Sequence, residues 1–242
     1  MDARFLIVNA DDLGLSAGVN AGIAAAHERG IVTSASLMVR KPAATEAVAL
    51  ADEYRSLAIG LHIDLGQWDY EEGEWKVAYQ HCSPDDEATV ERECRAQLQA
   101  FRELLGRAPT HLDSHQHTHM SEPVTTVAER LAGEFGVPLR ARGTPSCVPL
   151  RARGIRYEGG FYGQSGRGVP YPEGIAVARL IELIETLPAG WTELGCHPGL
   201  GVEAESSYAA EREVEVGTLT DPRVRAAVEK RGVELRSFAD LG

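Results

Sequence analysis

The sequence predicts an α/β fold with its strands in a parallel sheet or barrel. Short apolar, partly β-branched runs alternate with helix-patterned segments, and polar clusters follow several of the runs directly. The length of 242 residues suits one α/β barrel domain, which runs to roughly 250 residues. No internal repeat or break in composition marks a second unit, so a single domain over residues 1–242 is expected.

Phe5-Leu6-Ile7-Val8 reads as a strand buried on both faces, and it runs into Asn9-Ala10-Asp11-Asp12. Ser16 to Gly30 reads as a helix, capped by Ser16, with Val19, Ile23 and Ala26 on one face and Gly30 as its stop. A strand over 31–39, a helix over 45–54 and a strand over 57–65, carrying His62 and Asp64, come next. Residues 66–84 lack clear periodicity and are expected as a loop or insertion over the site. A long helix over 85–105 precedes a strand and its following loop over 110–119, then a helix over 122–135 and a short strand over 137–140. Residues 143–172, rich in Gly, Pro and Arg, read as loop. A helix over 173–187 leads to a strand over 191–196 that ends at His197-Pro198-Gly199. A helix near 221–231 and a strand over 233–238 finish the pattern.

A net charge of −12 with no compact basic patch repels a phosphate backbone, so nucleic acid is not an expected partner. The four cysteines lie far apart without a C-x-x-C pair, the usage of reduced cytosolic thiols. The first residues lack the apolar stretch of a secretory signal, and no run reaches the ~20 residues of a membrane span. A cytoplasmic protein without a membrane partner is expected.

In parallel α/β folds, functional groups gather at the C-terminal ends of strands. Asp11/Asp12, His62/Asp64, the 111–119 segment and His197 all fall at such ends. The segment from His111 to His119 holds four of the eight histidines. If it stays extended, His111, Asp113, His115, His117 and His119 point to one side. Imidazoles so crowded need a cation or a hydrogen-bond network to stay neutral. Paired acids after a strand can equally cap a helix, and a lone His62 or His197 can be structural. One carboxylate with two imidazoles makes a facial ligand set open to water and substrate. A second carboxylate can then take a proton from water, and a histidine can give one to a leaving amine. Arg140 and Arg142, just after a strand, are open to three readings: contact with substrate, with a carboxylate, or with solvent.

The ordered set of motifs resembles the YdjC-like carbohydrate deacetylases, which include chitooligosaccharide deacetylase and a relative acting in hopanoid biosynthesis. It comprises Asn9-Ala10-Asp11-Asp12-Leu13-Gly14, Gly30-Ile31-Val32-Thr33-Ser34 and Gly60-Leu61-His62. It continues with Thr110-His111-Leu112-Asp113-Ser114-His115, then His117 and His119, and ends with Cys196-His197-Pro198-Gly199. The resemblance covers nearly the whole chain and implies a distorted, TIM-barrel-like (β/α) barrel of parallel strands. It implies removal of an acetyl group from an N-acetylated sugar of the chitooligosaccharide type. It also implies one divalent cation, Mg²⁺ by family habit with Zn²⁺ as the other candidate, held by Asp12, His62 and His115. Asp11 would be the general base and His197 the general acid. Asp113, His117 and His119 would orient ligands or touch substrate. Three positions depart from the family pattern: Leu13 replaces the common Phe, Asp64-Leu65-Gly66 replaces Asn-Leu-Thr, and His115-Gln116-His117 replaces three consecutive histidines. These departures bear on which sugar binds.

A metal-dependent phosphoesterase, or a non-catalytic carbohydrate- or metal-binding protein on the same fold, are the competing readings. The loops at 66–84 and 143–172 could serve a lid or a homodimer interface.

Overall fold

The computed structural model describes residues 3–140, 154–201 and 208–241. In chain order the elements are β1 (Arg4–Leu13), α1 (Ala17–Glu28), β2 (Ser34–Leu37), α2 (Glu46–Glu53) and β3 (Ala58–Ile63). Next come β4 (Gly66–Glu71), β5 (Glu74–Gln80), α3 (Glu87–Leu105), β6 (Leu112–Ser114), α4 (Val124–Phe135) and β7 (Ile155–Glu158). The chain ends with α5 (Val177–Thr186), β8 (Gly190–Cys196), α6 (Ala209–Leu219), α7 (Pro222–Arg231) and β9 (Val233–Arg236).

The main sheet has the order β6-β3-β2-β1-β8-β7, with β9 also paired to β1, and every pairing is parallel. β1 is its centre, as an apolar run buried on both faces should be. β8 follows one edge of β1 from Arg4 to Ala10. The other edge is shared: β9 pairs with Arg4–Ile7, and β2 takes over from Asn9. The sheet curls, because Arg140, beyond β6, stands 5.0 Å from the Tyr157 ring on β7 at the opposite end. The result is the expected distorted barrel.

The helices cover the outside. α1 starts at the Ser16 cap, whose hydroxyl accepts from the Val19 amide, and buries Val19, Ile23 and Ala26. α3 buries Val90, Cys94, Leu98 and Phe101 along one stripe, between the Asp86 cap and a left-handed Gly106. The inside of the barrel holds a polar cluster: Asn9, Ser36, His62, His111, Asp113, Arg140 and Glu193 are all buried. Gly60 makes room for it, since a Cβ there would stand 2.4 Å from the His111 ring.

Five expectations change. Residues 66–84 are no loop: β4 and β5 form an antiparallel hairpin. The 111–119 segment does not stay extended. Its strand ends at Ser114, and a 3-10 turn with left-handed Gln116 and His117 follows. The predicted strand over 137–140 reduces to a single parallel bridge, Leu139 to Leu112. The helix over 173–187 is a 3-10 turn (Pro172–Ile175) followed by α5, because Ala176 is extended. Helix α6 was not expected; its charged sequence hides the face that it buries. Arg142, Cys147 and most of the predicted 143–172 loop's first half lie outside the described residues.

Candidate active site

Because the strands are parallel, their C-terminal ends open on one face, and β1, β3, β6 and β8 each deliver a polar group there. Asp12 ends β1 beside an irregularity in its pairing with β2, with a left-handed backbone at φ 67°. Aspartate tolerates that region better than most residues, and such positions cluster at functional sites. One Asp12 oxygen, Oδ1, lies 3.4 Å from His62 Nε2 and 3.1 Å from His115 Nδ1. The other, Oδ2, accepts from Arg212 Nη2 at 2.6 Å. Burial alone would raise the Asp12 carboxyl, but Arg212 and the two imidazoles outweigh it and hold it well below the usual carboxylate range.

His62 gives its Nδ1 side to Asp113 at 2.8 Å, which fixes the ring and leaves Nε2 towards Asp12. Burial would lower its pKa, but the Asp113 charge and hydrogen bond win and push it up to about 10. Asp113 is further held by Ser36 at 2.6 Å and Arg140 at 2.9 Å.

Arg140 ties three carboxylates together. It binds both oxygens of Asp11 at 2.6 Å and Glu193 through Nε at 2.6 Å, besides Asp113. Burial opposes the ionised form of Asp11, and the Arg140 pairing more than offsets it, so Asp11 stays ionised below its ordinary pKa. Glu193 has the opposite balance: burial outweighs Arg140 and lifts it to about 7.

Helix α6 closes the other side. Arg212 donates to Asp12 and to the His197 carbonyl, at 3.3 Å for the second. Glu215 accepts the His197 amide at 2.5 Å and the Tyr208 hydroxyl at 2.6 Å. His197 Nε2 lies 3.9 Å from Asp11 Oδ2, and burial pushes its pKa down to about 4. A cavity of 780 Å³ opens above these groups, lined among others by Asp11, Asp12, His62, His115, His117 and His197. Among the described residues, three buried ring nitrogens in its lining have no partner: His115 Nε2, His117 Nδ1 and His197 Nδ1. Such atoms call for a ligand.

The predicted site residues therefore separate. Asp11, Asp12, His62, His115, His117 and His197 reach the cavity. Asp113 and Arg140 lie beneath it, in the buried network. Of the readings open for Arg140, the carboxylate contact is the one the structure has. His119 accepts or donates at Ser114 and reaches the Arg140 carbonyl at 3.2 Å, so it braces the turn. Reasoning from sequence missed Arg212, Glu215, Tyr208, Tyr157 and Glu193. Only Glu193 left a trace, as a lone acid in the apolar strand Gly190–Cys196.

Asp12, His62 and His115 offer one ligand atom each within 4.8 Å of one another. A carboxylate and two imidazoles, one of them with an orphaned nitrogen, fit a divalent cation. A second group, Asp11, His62 and Asp113, is equally close. It is already satisfied by Arg140, Asn9 and Ser36 and so fits a second ion poorly.

The chain is thus an α/β-barrel protein with a candidate metal centre at its strand ends. It belongs to the YdjC-like family, whose model matches residues 5–230. It is 35% identical over 251 residues to a carbohydrate deacetylase from Geobacillus stearothermophilus, covering 98% of each chain. It is 33% identical over 264 residues to a chitooligosaccharide deacetylase from Serratia marcescens, covering 98% of this chain and 99% of that one. Among solved structures, a proposed cellobiose-phosphate cleavage protein from Enterococcus faecalis superposes with a TM-score of 0.78 at 26% identity, over 99% of both chains. A family 4 carbohydrate esterase from Streptomyces lividans, in complex with acetate, shares the fold at a TM-score of 0.56 and 10% identity, over 97% and 93%.

Proposed function

We propose that this chain is a metal-dependent hydrolase that removes the acetyl group from an N-acetylated carbohydrate of the chitooligosaccharide type. One observation carries the reading. Asp12, His62 and His115 converge beside Asp11 and His197 at the floor of one open cavity. The full-length likeness to carbohydrate deacetylases supports it.

Asp12, His62 and His115 would hold one divalent cation. Mg²⁺ is expected by family habit, and the two imidazoles make Zn²⁺ the competitor. When bound, the cation supplies Lewis acidity to the acetamide carbonyl and to water. The protein's own groups account for the protons. Asp11, kept ionised by Arg140, is placed to accept a proton from the attacking water. His197 is neutral near pH 7, so the proton it gives to the leaving amine has to be acquired in the cycle. Its Nε2, 3.9 Å from Asp11, is positioned to take that proton over. Water and amide then leave as acetate and free amine. A phosphoesterase built on two cations is disfavoured, because Arg140 already fills the second carboxylate group.

The acting unit is residues 1–242 as a single domain, since the site draws on residues from Asp11 to Arg212. Its partner is a small N-acetylated sugar, with no nucleic acid or membrane and with a homodimer as one arrangement open to it. A cytoplasmic location belongs to the same reading, and among the described residues no helix is long and apolar enough to cross a membrane. The test is acetate release from N-acetylated mono- and oligosaccharides, with metal-loaded and chelator-stripped protein side by side. Acetate from the loaded protein alone is expected. No acetate from any sugar, with metal bound, would refute the reading.

A further inference from the structure

Hairpin β4–β5 carries a face that the core does not use. Trp68 stands opposite Val77 and Tyr70 opposite Trp75, so all four side chains share one side of the ribbon. The Tyr70 and Trp75 rings meet edge to face at 5.3 Å. Trp75 is 59% exposed and Val77 54%. Large apolar groups gathered in water on a two-stranded ribbon mark a contact surface.

Two features tie this face to the site. Trp68, Tyr70 and Trp75 line the same 780 Å³ cavity whose floor holds Asp12, His62 and His115. The hairpin is also pinned to the strand ends that carry those histidines. Gln116, next to His115, donates to the Trp68 carbonyl at 2.8 Å and accepts from the Trp68 amide at 2.9 Å. Tyr79 on β5 bonds both oxygens of Asp64 at 3.0 Å, two residues beyond His62. The Arg167 guanidinium lies 5.7 Å from the Tyr70 ring. The cavity stands in the upper part of the range of about 300–1,000 Å³ for small-molecule sites. It is larger than one pyranose needs.

A pyranose ring offers one face of C–H groups, which packs on an aromatic π-face, and a rim of hydroxyls for polar neighbours. Asp69 and Glu71 also line the cavity, while Lys76 pairs with Glu71 and Arg167 stands by the Tyr70 ring, so the charges around the aromatic face offset one another. We propose that the aromatic face of β4–β5, with Trp75 as principal contact, is a stacking subsite for a second pyranose of a substrate longer than one sugar. This inference rests on the carbohydrate deacetylase reading. The hairpin's attachment beside His115 and His62 sets the register between that second ring and the acetamide at the floor.

The experiment compares binding of N-acetylglucosamine and di-N-acetylchitobiose to the metal-loaded protein by titration calorimetry. It uses wild type, Trp75→Ala and Trp75→Phe, with acetate release and native mass measured alongside. Wild type should bind the disaccharide about tenfold or more tightly than the monosaccharide. Trp75→Ala should bring the two affinities together, and Trp75→Phe should restore most of the gap. An unchanged ratio in Trp75→Ala, or no preference in wild type, would overturn the subsite. So would a dimer that Trp75→Ala splits while the ratio stays. A preserved preference without acetate release would leave the subsite standing and refute the deacetylase reading.

Discussion

Asp11 and Asp12 are neighbours in sequence with different partners, because the left-handed turn at Asp12 sends the second carboxylate away from the first. Asp11 meets Arg140, and Asp12 meets two imidazoles and Arg212. Their variants should therefore fail differently. Asp11→Asn should keep its metal, read by elemental analysis, and lose turnover by about 10²–10⁴-fold; normal acetate release would remove it as base. His115→Ala should lose both metal and turnover, and an unchanged metal content would reject it as ligand. Arg140→Met would strand Asp11, Asp113 and Glu193 in the interior. The expected cost is about 3–5 kcal/mol in a urea titration. Asp11, Asp12, His62 and His197 were legible because each interrupts or ends an apolar run. Arg212 was not legible, since a lone arginine in a charged helix looks like a solvated surface until the helix is placed.

At the scale of elements, α6 and the hairpin are what sequence patterns concealed. α6 reads as a mixed-charge segment, yet Arg212 and Glu215, three residues apart, share a face and reach Asp12 and His197 together. Glu215 fixes the backbone of His197 and the Tyr208 hydroxyl in one contact set. Glu215→Ala should lower kcat by about 10–100-fold at normal metal content. A rate as in wild type would show that His197 holds its place without α6. The hairpin has the alternation, with Trp68, Tyr70, Trp75 and Val77 set against Asp69, Glu71 and Lys76, but the acidic turn at Glu72-Gly73 breaks it into runs too short to stand out. The helices whose apolar stripes face the barrel, α1 and α3, were read within a few residues of their ends.

The molecule as a whole keeps ionisable groups where an ordinary barrel keeps aliphatic ones, and its stability should follow pH accordingly. Burial pushes His111, His119 and His197 down to about 4 and His117 to about 3. Neutral in the fold and free to protonate near 6.5 when unfolded, they contribute stability that is complete above pH 6.5. That contribution is lost as pH falls towards 4. Glu193 and Glu215 act in the opposite sense. Burial raises both from 4.5 to about 7, so they weaken the fold as pH climbs through that window. His62, raised to about 10, stays protonated in the fold, and its unfolded-state titration near 6.5 adds only a small slope of opposite sign at the top of this range. Four groups against two leave a net loss on acidification. Chelator-treated protein should therefore show urea midpoints that fall at each step from pH 6.5 to 4.5. The metal is removed because a bound cation would impose its own proton linkage through His62 and His115. His111, stacked 3.9 Å from the Phe238 ring and outside the cavity lining, isolates one contribution. His111→Gln should lower stability near neutrality and flatten the slope, because the replacement has no proton to take up. A slope as steep as wild type would mean that the buried histidines do not govern acid unfolding.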